Sequence, residues 1–446
     1  MSFASHYPQG RGLRCRRLTV LASLLLAAAA AWSPAQPSRA AEPEPGLSLE
    51  QAVSIAAERA PVVLAREASR VAAAEELVRA DALPDPVLGV GVQNLPIGGP
   101  DAFTVTEDRM TMRRIGVTQA LPSRAKRAAR REVAAARLAR SEAETVATVL
   151  DVKRAAAKAW VQLWAAEREH ALLLELREQA GLAVRATRAR LSGGAGSASD
   201  VLAARSTELE LQNRIDDATA RIEQARATLA RWIGEVPESS IATPPDFSRL
   251  PVPESRLLAM LDRHGALLAW DAREQAADAA VVLAQAEKRP DWSVGAGFAR
   301  RGAGASNVVW LEIGVGLPLF TRNRQDRGIN ARAADREAVR ATREDARRMQ
   351  AEFVRKTHAE WLGLGLQVAR YREALLPLNR DRTRTALAAY SGGDPLQAWL
   401  DARRDEIDLR IDYADTLAAW GQAWADLAYL LPDSDGVVAS ALENAP

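Results

Sequence analysis

The sequence predicts a mainly α-helical chain that also carries membrane-type β-strands, built as two copies of one unit. Three observations predict it. Ser123 to Leu191 is 69 residues with no proline and a single glycine, Gly181. Four short stretches alternate apolar residues with glycine or polar ones, the period of a strand with one apolar face. Sliding the chain by 198 residues places Gly194 on Gly392, Leu202 on Leu400, Ala204-Arg205 on Ala402-Arg403 and Leu229-Ala230 on Leu427-Ala428. Repeats of this kind define an architecture before any short motif does.

Residues 1–40 read as an export signal. Arg11, Arg14, Arg16 and Arg17 precede an apolar run from Leu18 to Trp32, and Ser38-Arg39-Ala40 fits a small-x-small cleavage site. The run is shorter than the roughly 20 residues a membrane-spanning helix needs. The single cysteine, Cys15, lies before it, where no lipid would be attached. Removing this segment takes away five arginines and no acid. That leaves 54 Lys+Arg against 57 Asp+Glu, a net charge of −3 in place of +2. The basic balance is therefore partly the signal's, and nothing in it points to nucleic acid. An exported chain without cysteine has no disulfides, so packing or assembly must hold it.

The first unit spans 41–234. Ser48 and Gln51 make a capping box for a helix that continues to Arg79, with Pro61 a kink or break. Strands are expected over 86–95 and 112–121. In the first, Leu88, Val90 and Val92 share a face opposite Gly89, Gly91 and Gln93; in the second, Ile115 and Val117 oppose Arg114, Gly116 and Thr118. A hairpin over 123–234 follows. Twenty of its first 69 residues are alanine and most others are good helix formers. Such a helix is roughly 100 Å long, far beyond the ordinary 11–12 residues. The turn is Ser192-Gly193-Gly194-Ala195-Gly196-Ser197, with Ser199 or Asp200 capping the return helix.

A linker at 235–253 carries Pro237, Pro244, Pro245, Pro251 and Pro253. The second unit spans 254–432, with 433–446 a tail. It opens with a helix from Glu254 to Lys288, followed by strands over 291–299 and 308–319. Trp292, Val294, Ala296 and Phe298 face one way in the first; Val309, Leu311, Ile313 and Val315 alternate with Trp310, Glu312 and Gly314 in the second. The hairpin over 323–431 turns at Ser391-Gly392-Gly393-Asp394-Pro395, and Pro377 predicts a bend before it.

Strands of this length and pattern suit a transmembrane barrel, apolar outside and polar within. Leu88, Val90, Ile115, Ile313 and Val315 are then lipid-facing, and Gln93, Thr118 and Glu312 face the lumen. Trp292 and Trp310 are candidates for an aromatic belt at the membrane interface. Four strands cannot close, and lipid tolerates no open sheet edge, so several chains must share one barrel. Helices rich in alanine, which lets backbones approach closely, make the same demand.

The chain resembles the TolC-like outer-membrane efflux channels. Arg190-Leu191-Ser192-Gly193-Gly194 through Asp200-Val201 and Ala204-Arg205 is similar to the family's first turn. Tyr390-Ser391-Gly392-Gly393 through Leu400-Asp401-Ala402 is similar to its second, one residue shorter than the family pattern. The resemblance implies a homotrimer with a twelve-stranded outer-membrane β-barrel and a periplasmic α-helical barrel. It implies a passive conduit docked to a periplasmic adaptor and an inner-membrane pump. It also implies that Arg190, Gly193, Gly194, Asp200, Gly392 and Gly393 form the tips that meet the adaptor, and that Asp401 and Tyr390 lie at the periplasmic entrance. Ala398 stands where the family has a second acid. Gln119-Ala120-Leu121-Pro122 followed by Lys126-Arg127 is similar to the heavy-metal branch, which serves RND pumps. The alternatives are a periplasmic coiled-coil adaptor or scaffold, and the exit duct of a type I protein secretion system; the cargo stays open among metal ions, drugs and polypeptides.

No chemistry-bearing constellation competes. His170, His264 and His358 form no ligand pair or cluster with metal spacing. No Ser/His/Asp set is placed for catalysis, and the Gly-x-Gly pairs sit inside strands, so no enzyme and no cofactor is expected. The cluster Arg124-Lys126-Arg127-Arg130-Arg131 reads as a solvated helix face.

Overall fold

The computed structural model describes residues 46–237 and 241–432. The signal at 1–40 and the tail at 433–446 lie outside the described residues. Two helices open the chain, α1 (Leu49–Arg59) and α2 (Pro61–Ala80), parted at Pro61 as its missing N–H requires. Ser48 and Gln51 form the expected capping box. Strands β1 (Val87–Gln93) and β2 (Met112–Leu121) lead into the hairpin of α3 (Arg124–Ser192) and α4 (Ala198–Ile233).

The second unit holds α5 (Glu254–Ala259) and α6 (Trp270–Ala286), then β3 (Asp291–Arg301) and β4 (Val308–Gly316). Its hairpin is α7 (Gln325–Arg370), α8 (Leu376–Ser391) and α9 (Leu396–Ala428). The four strands make one antiparallel sheet in the order β1-β2-β3-β4, with β2 and β3 joining the two units. β1 and β4 are its edges.

Several boundaries differ from the sequence expectation. β1 is shorter than 86–95 because Asn94 takes a positive φ of 58° and turns the chain. β3 runs past 299 because its pairing to β2 continues to Met112↔Arg301. β4 stops before 319, where pairing ends at Asp291↔Gly316 and Pro318 lies ahead. The single helix expected over Glu254–Lys288 is broken by a 3₁₀ turn, Leu261–Arg263, and a non-helical stretch before Trp270. That break lets Leu257, Leu261, Leu267 and Trp270 all enter one core with Leu427, Leu430 and Leu431. His264 is fully buried there, its Nδ1 3.0 Å from the Gln350 amide, and burial pushes its pKa down to about 4. At Pro377 the interruption takes the form of a π turn, Tyr371–Leu375, immediately before α8.

The proline-rich linker is part of the core. Trp361 Nε1 donates to its Phe247 carbonyl (2.9 Å) and Trp424 Nε1 to its Arg249 carbonyl (2.7 Å), while Trp160 Nε1 holds the carbonyl of Leu47 (2.8 Å), which bridges to Ile241 of the linker. Phe247 is buried against α9, where a Cβ on Gly421 would meet its ring at 2.9 Å. This cluster, with Leu49, Ala56, Leu163 and Leu229, fastens both units at one level. Elsewhere the helices are thinly covered. α2 buries no residue, and the 46 residues of α7 bury only Val354, Thr357 and Val368. A single chain thus leaves long helical faces without a neighbour.

Candidate functional site

The two faces of the sheet differ as the alternation requires. Leu88, Val90, Ile115, Ile313 and Val315 lie on one face with Val117, Trp292, Val294, Phe298, Val309 and Leu311, all of them exposed. So large a contiguous apolar surface marks an interaction face. The opposite face carries Gln93, Arg114, Thr118 and Glu312 among glycines.

Trp310 belongs to that second face, which corrects its placement in an interface belt. Gly116, Gly295 and Gly297 leave a furrow across β2 and β3, and the indole fills it. A Cβ on Gly116 would lie 2.2 Å from Trp310 Cζ2, and one on Gly297 would lie 2.6 Å from its Nε1. The Arg114 guanidinium caps the ring at 4.5 Å and donates to Gln93 Oε1 at 2.8 Å. Trp292 stays on the apolar face, half exposed.

At the other end, the hairpin turns show why glycine is needed and where. Gly193 and Gly392 sit at φ −81°, open to any residue. Gly194 at +74° and Gly393 at +115° are left-handed. The equivalent pair is therefore Gly194 and Gly393, one residue off the Gly194-on-Gly392 superposition. Ala195 N–H donates to Arg190 O (2.9 Å) and Asp394 N–H to Ala389 O (3.1 Å), the same closing bond in each turn. After it, one turn needs two residues to reach its cap and the other needs one. The return helix α4 is capped by Ser197, not by Ser199 or Asp200. Asp200 is the third helical residue and completes a capping box with it. Ser197 prevails because its extended backbone (φ −108°, ψ 156°) lets its oxygen reach forward to the Asp200 N–H.

The tips touch through Arg190. Its guanidinium lies 4.4 Å above the Tyr390 ring, donates to the Tyr390 carbonyl at 2.8 Å and reaches Ala195 O at 3.4 Å. Tyr390 is buried and stacks on Trp399, with centroids 6.2 Å apart and planes 9° apart. Arg190, Gly194, Asp200, Tyr390 and Gly393 line one cleft between the turns. Asp401 does not. It is half-buried one helical turn beyond Gln397, whose amide donates to it at 2.7 Å. Arg404, three residues on, pairs with Glu210 at 3.1 Å and not with Asp401.

Behind the tips lies a buried charge network absent from the sequence reading. Arg403 donates to Glu406 at 2.7 Å, both side chains nearly inaccessible, and Arg410 reaches the same carboxylate at 2.8 Å. Gln179 of α3 also accepts from Arg403. Lys126 and Arg127 serve the joint between sheet and helices: Lys126 binds Asp291 at 2.7 Å and Arg127 lies 3.5 Å from Asp81. His358 faces Glu254 at 3.1 Å, far in sequence from His170 and His264, and no metal-binding cluster occurs among the described residues. No helix is long and apolar enough to cross a membrane among the described residues.

Residues 52–235 match the family described as outer membrane efflux protein. No curated protein matches the chain. Its fold is similar to solved structures. A membrane protein from Pseudomonas aeruginosa is 20% identical, with a TM-score of 0.73 over 86% of this chain and 90% of the other. The Campylobacter jejuni CmeC outer membrane channel is 14% identical, with a TM-score of 0.72 over 89% and 88%. The open state of the Neisseria gonorrhoeae MtrE outer membrane channel is 17% identical, with a TM-score of 0.70 over 86% and 88%.

Proposed function

We propose, from the premise that this chain belongs to the outer membrane efflux protein family and has the TolC-like fold, that three copies close one passage across the outer membrane. The observation that carries this reading is the sheet: four strands, two open edges and one largely apolar face. Each open edge carries backbone donors and acceptors that lipid cannot satisfy, so β1 of one copy pairs with β4 of the next. Three sheets give twelve strands. The uncovered α2 and α7 then find neighbours in a helical wall, and the long hairpins reach into the periplasm.

The passage is a passive conduit, and catalysis has no part in it. The hairpin tips meet a periplasmic adaptor, which links them to an inner-membrane pump of the RND type. Heavy-metal cations are the cargo that the resemblance favours. The half-buried Asp401, with an amide but no cation as its partner among the described residues, suits a cation path. Three such carboxylates around an axis raise the local cation concentration and repel anions.

The pore reconstituted in planar bilayers at low salt tests this, since screening is then least. Asp401→Asn is expected to lower the cation-to-anion permeability ratio by about twofold. Asp200→Asn is expected to leave it unchanged, because Asp200 is held in its capping box. Unaltered selectivity in Asp401→Asn removes that residue from the entrance, and failure of the wild-type protein to conduct contradicts the conduit itself.

A further inference from the structure

The apolar face of the sheet is interrupted by two arginines that register places side by side. Arg113 of β2 pairs with Arg300 of β3, and both share the face of Val92, Ile115 and Phe298. Both are exposed, and neither side chain has a hydrogen bond or ion pair among the described residues. Like charges directly opposite across a ladder repel. No acid on these four strands shares their face to relieve this, and Asp108 of the adjoining loop is turned to Thr111 Oγ1 (3.2 Å) and the Met110 N–H (3.2 Å). The other strand arginines near this end, Arg114 and Arg301, lie on the opposite face, Arg114 bound to Gln93 and Trp310 and Arg301 to the Arg109 carbonyl.

Their height on the sheet indicates what completes them. All four strands join helices at the end marked by Val87, Leu121, Asp291 and Gly316; the hairpin loops lie at the other end. Arg113 and Arg300 are each one residue from that loop end. Eight residues separate Leu121 from Arg113, about 27 Å along an extended strand and about 20 Å up one tilted as barrel strands are. The apolar band of such a barrel is about 25 Å tall. With Leu121 at the inner rim, the pair therefore sits within about 5 Å of the outer rim, where long arginine side chains reach up to the lipid headgroups.

We infer that Arg113 and Arg300 form a binding site for the phosphate of a lipid in the outer leaflet. Opposite Cβ atoms in a sheet are about 5 Å apart, so two guanidinium forks can grip one phosphate from both sides. The anion replaces mutual repulsion with charge-assisted bonds, and the acyl chains lie down the face of Ile115, Val117 and Phe298. This inference rests on the outer-membrane reading above.

The test is native mass spectrometry of the purified assembly titrated with bis-phosphorylated lipid A, the same lipid stripped of phosphate, and inorganic phosphate. The wild-type protein is expected to retain the phosphorylated lipid and neither of the others. Arg113→Gln/Arg300→Gln is expected to weaken that binding at least about tenfold. Arg114→Gln, on the opposite face, is expected to bind as wild type does. Should the double variant fail to assemble, Arg300→Gln alone is read against Arg114→Gln. Equal binding by the variants, or of the stripped lipid, overturns the site. Equal retention of inorganic phosphate reduces it to a simple anion site and overturns the lipid assignment. Outer-membrane fractionation of the wild-type protein separates the two claims: absence there overturns the parent reading, whereas presence there without phosphate-dependent binding overturns only this one.

Discussion

Lysine in place of Ile313 is expected to destabilise the membrane-inserted protein by about 2–4 kcal/mol, while lysine in place of its neighbour Glu312 costs about 1 kcal/mol or less. The two residues are adjacent on β4 and both are exposed in the single chain, so exposure does not distinguish them. Register does. Ile313 shares its face with Val294, and Glu312 pairs with Gly295 beside the Trp310 furrow. In the proposed barrel one face meets hydrocarbon, where a charge cannot be hydrated, and the other lines water. Denaturant titration in lipid vesicles measures both variants, and equal losses contradict the assignment of faces.

Glu406→Leu is expected to cost about 3–5 kcal/mol, because it leaves Arg403 and Arg410 buried without their shared counter-charge. Burial already draws the Arg403 pKa below its ordinary value, with Glu406 opposing that pull and Arg410 adding to it. Arg403→Met is expected to cost less, since Arg410 still reaches Glu406. The double replacement Arg403→Met/Glu406→Leu removes the inner pair together and is expected to recover most of the loss. Denaturation of the four proteins as a double-mutant cycle checks the order. A Glu406→Leu protein as stable as wild type shows that the network does not hold α9 to α3.

Much of this architecture was legible because it is local. A proline-free run such as Ser123–Leu191 can only propagate a helix, and strict alternation in β4 separates Ile313 from Glu312 without any coordinates. The left-handed turn glycines were legible to within one residue. What escaped is what depends on partners distant in sequence. The tip contact joins Arg190 to a carbonyl 200 residues away, and nothing near Arg190 announces it. The linker looked like a spacer because prolines punctuate it; tryptophans 114 and 175 residues away hold its Phe247 and Arg249 carbonyls. The helix expected over Glu254–Lys288 failed because core packing of Leu261 and Leu267 outweighs local helix propensity. Trp310 was misplaced by its residue type, although its position in the alternation already put it among the glycines. Arg113 and Arg300 carried a readable signal, a charge in phase with Ile115 and with Phe298, but only the register makes them a pair. The proposed entrance is the least legible part, since the role proposed for Asp401 depends on further copies of the chain.

The central claim is that the open edges of one sheet are closed by two further copies. Native mass measurement of the mature protein, extracted from outer membranes in mild detergent, tests it most directly. The expected result is a single species of three chains that survives dilution. A stable monomer under the same conditions contradicts the account, because β1 and β4 would then stand unpaired in lipid.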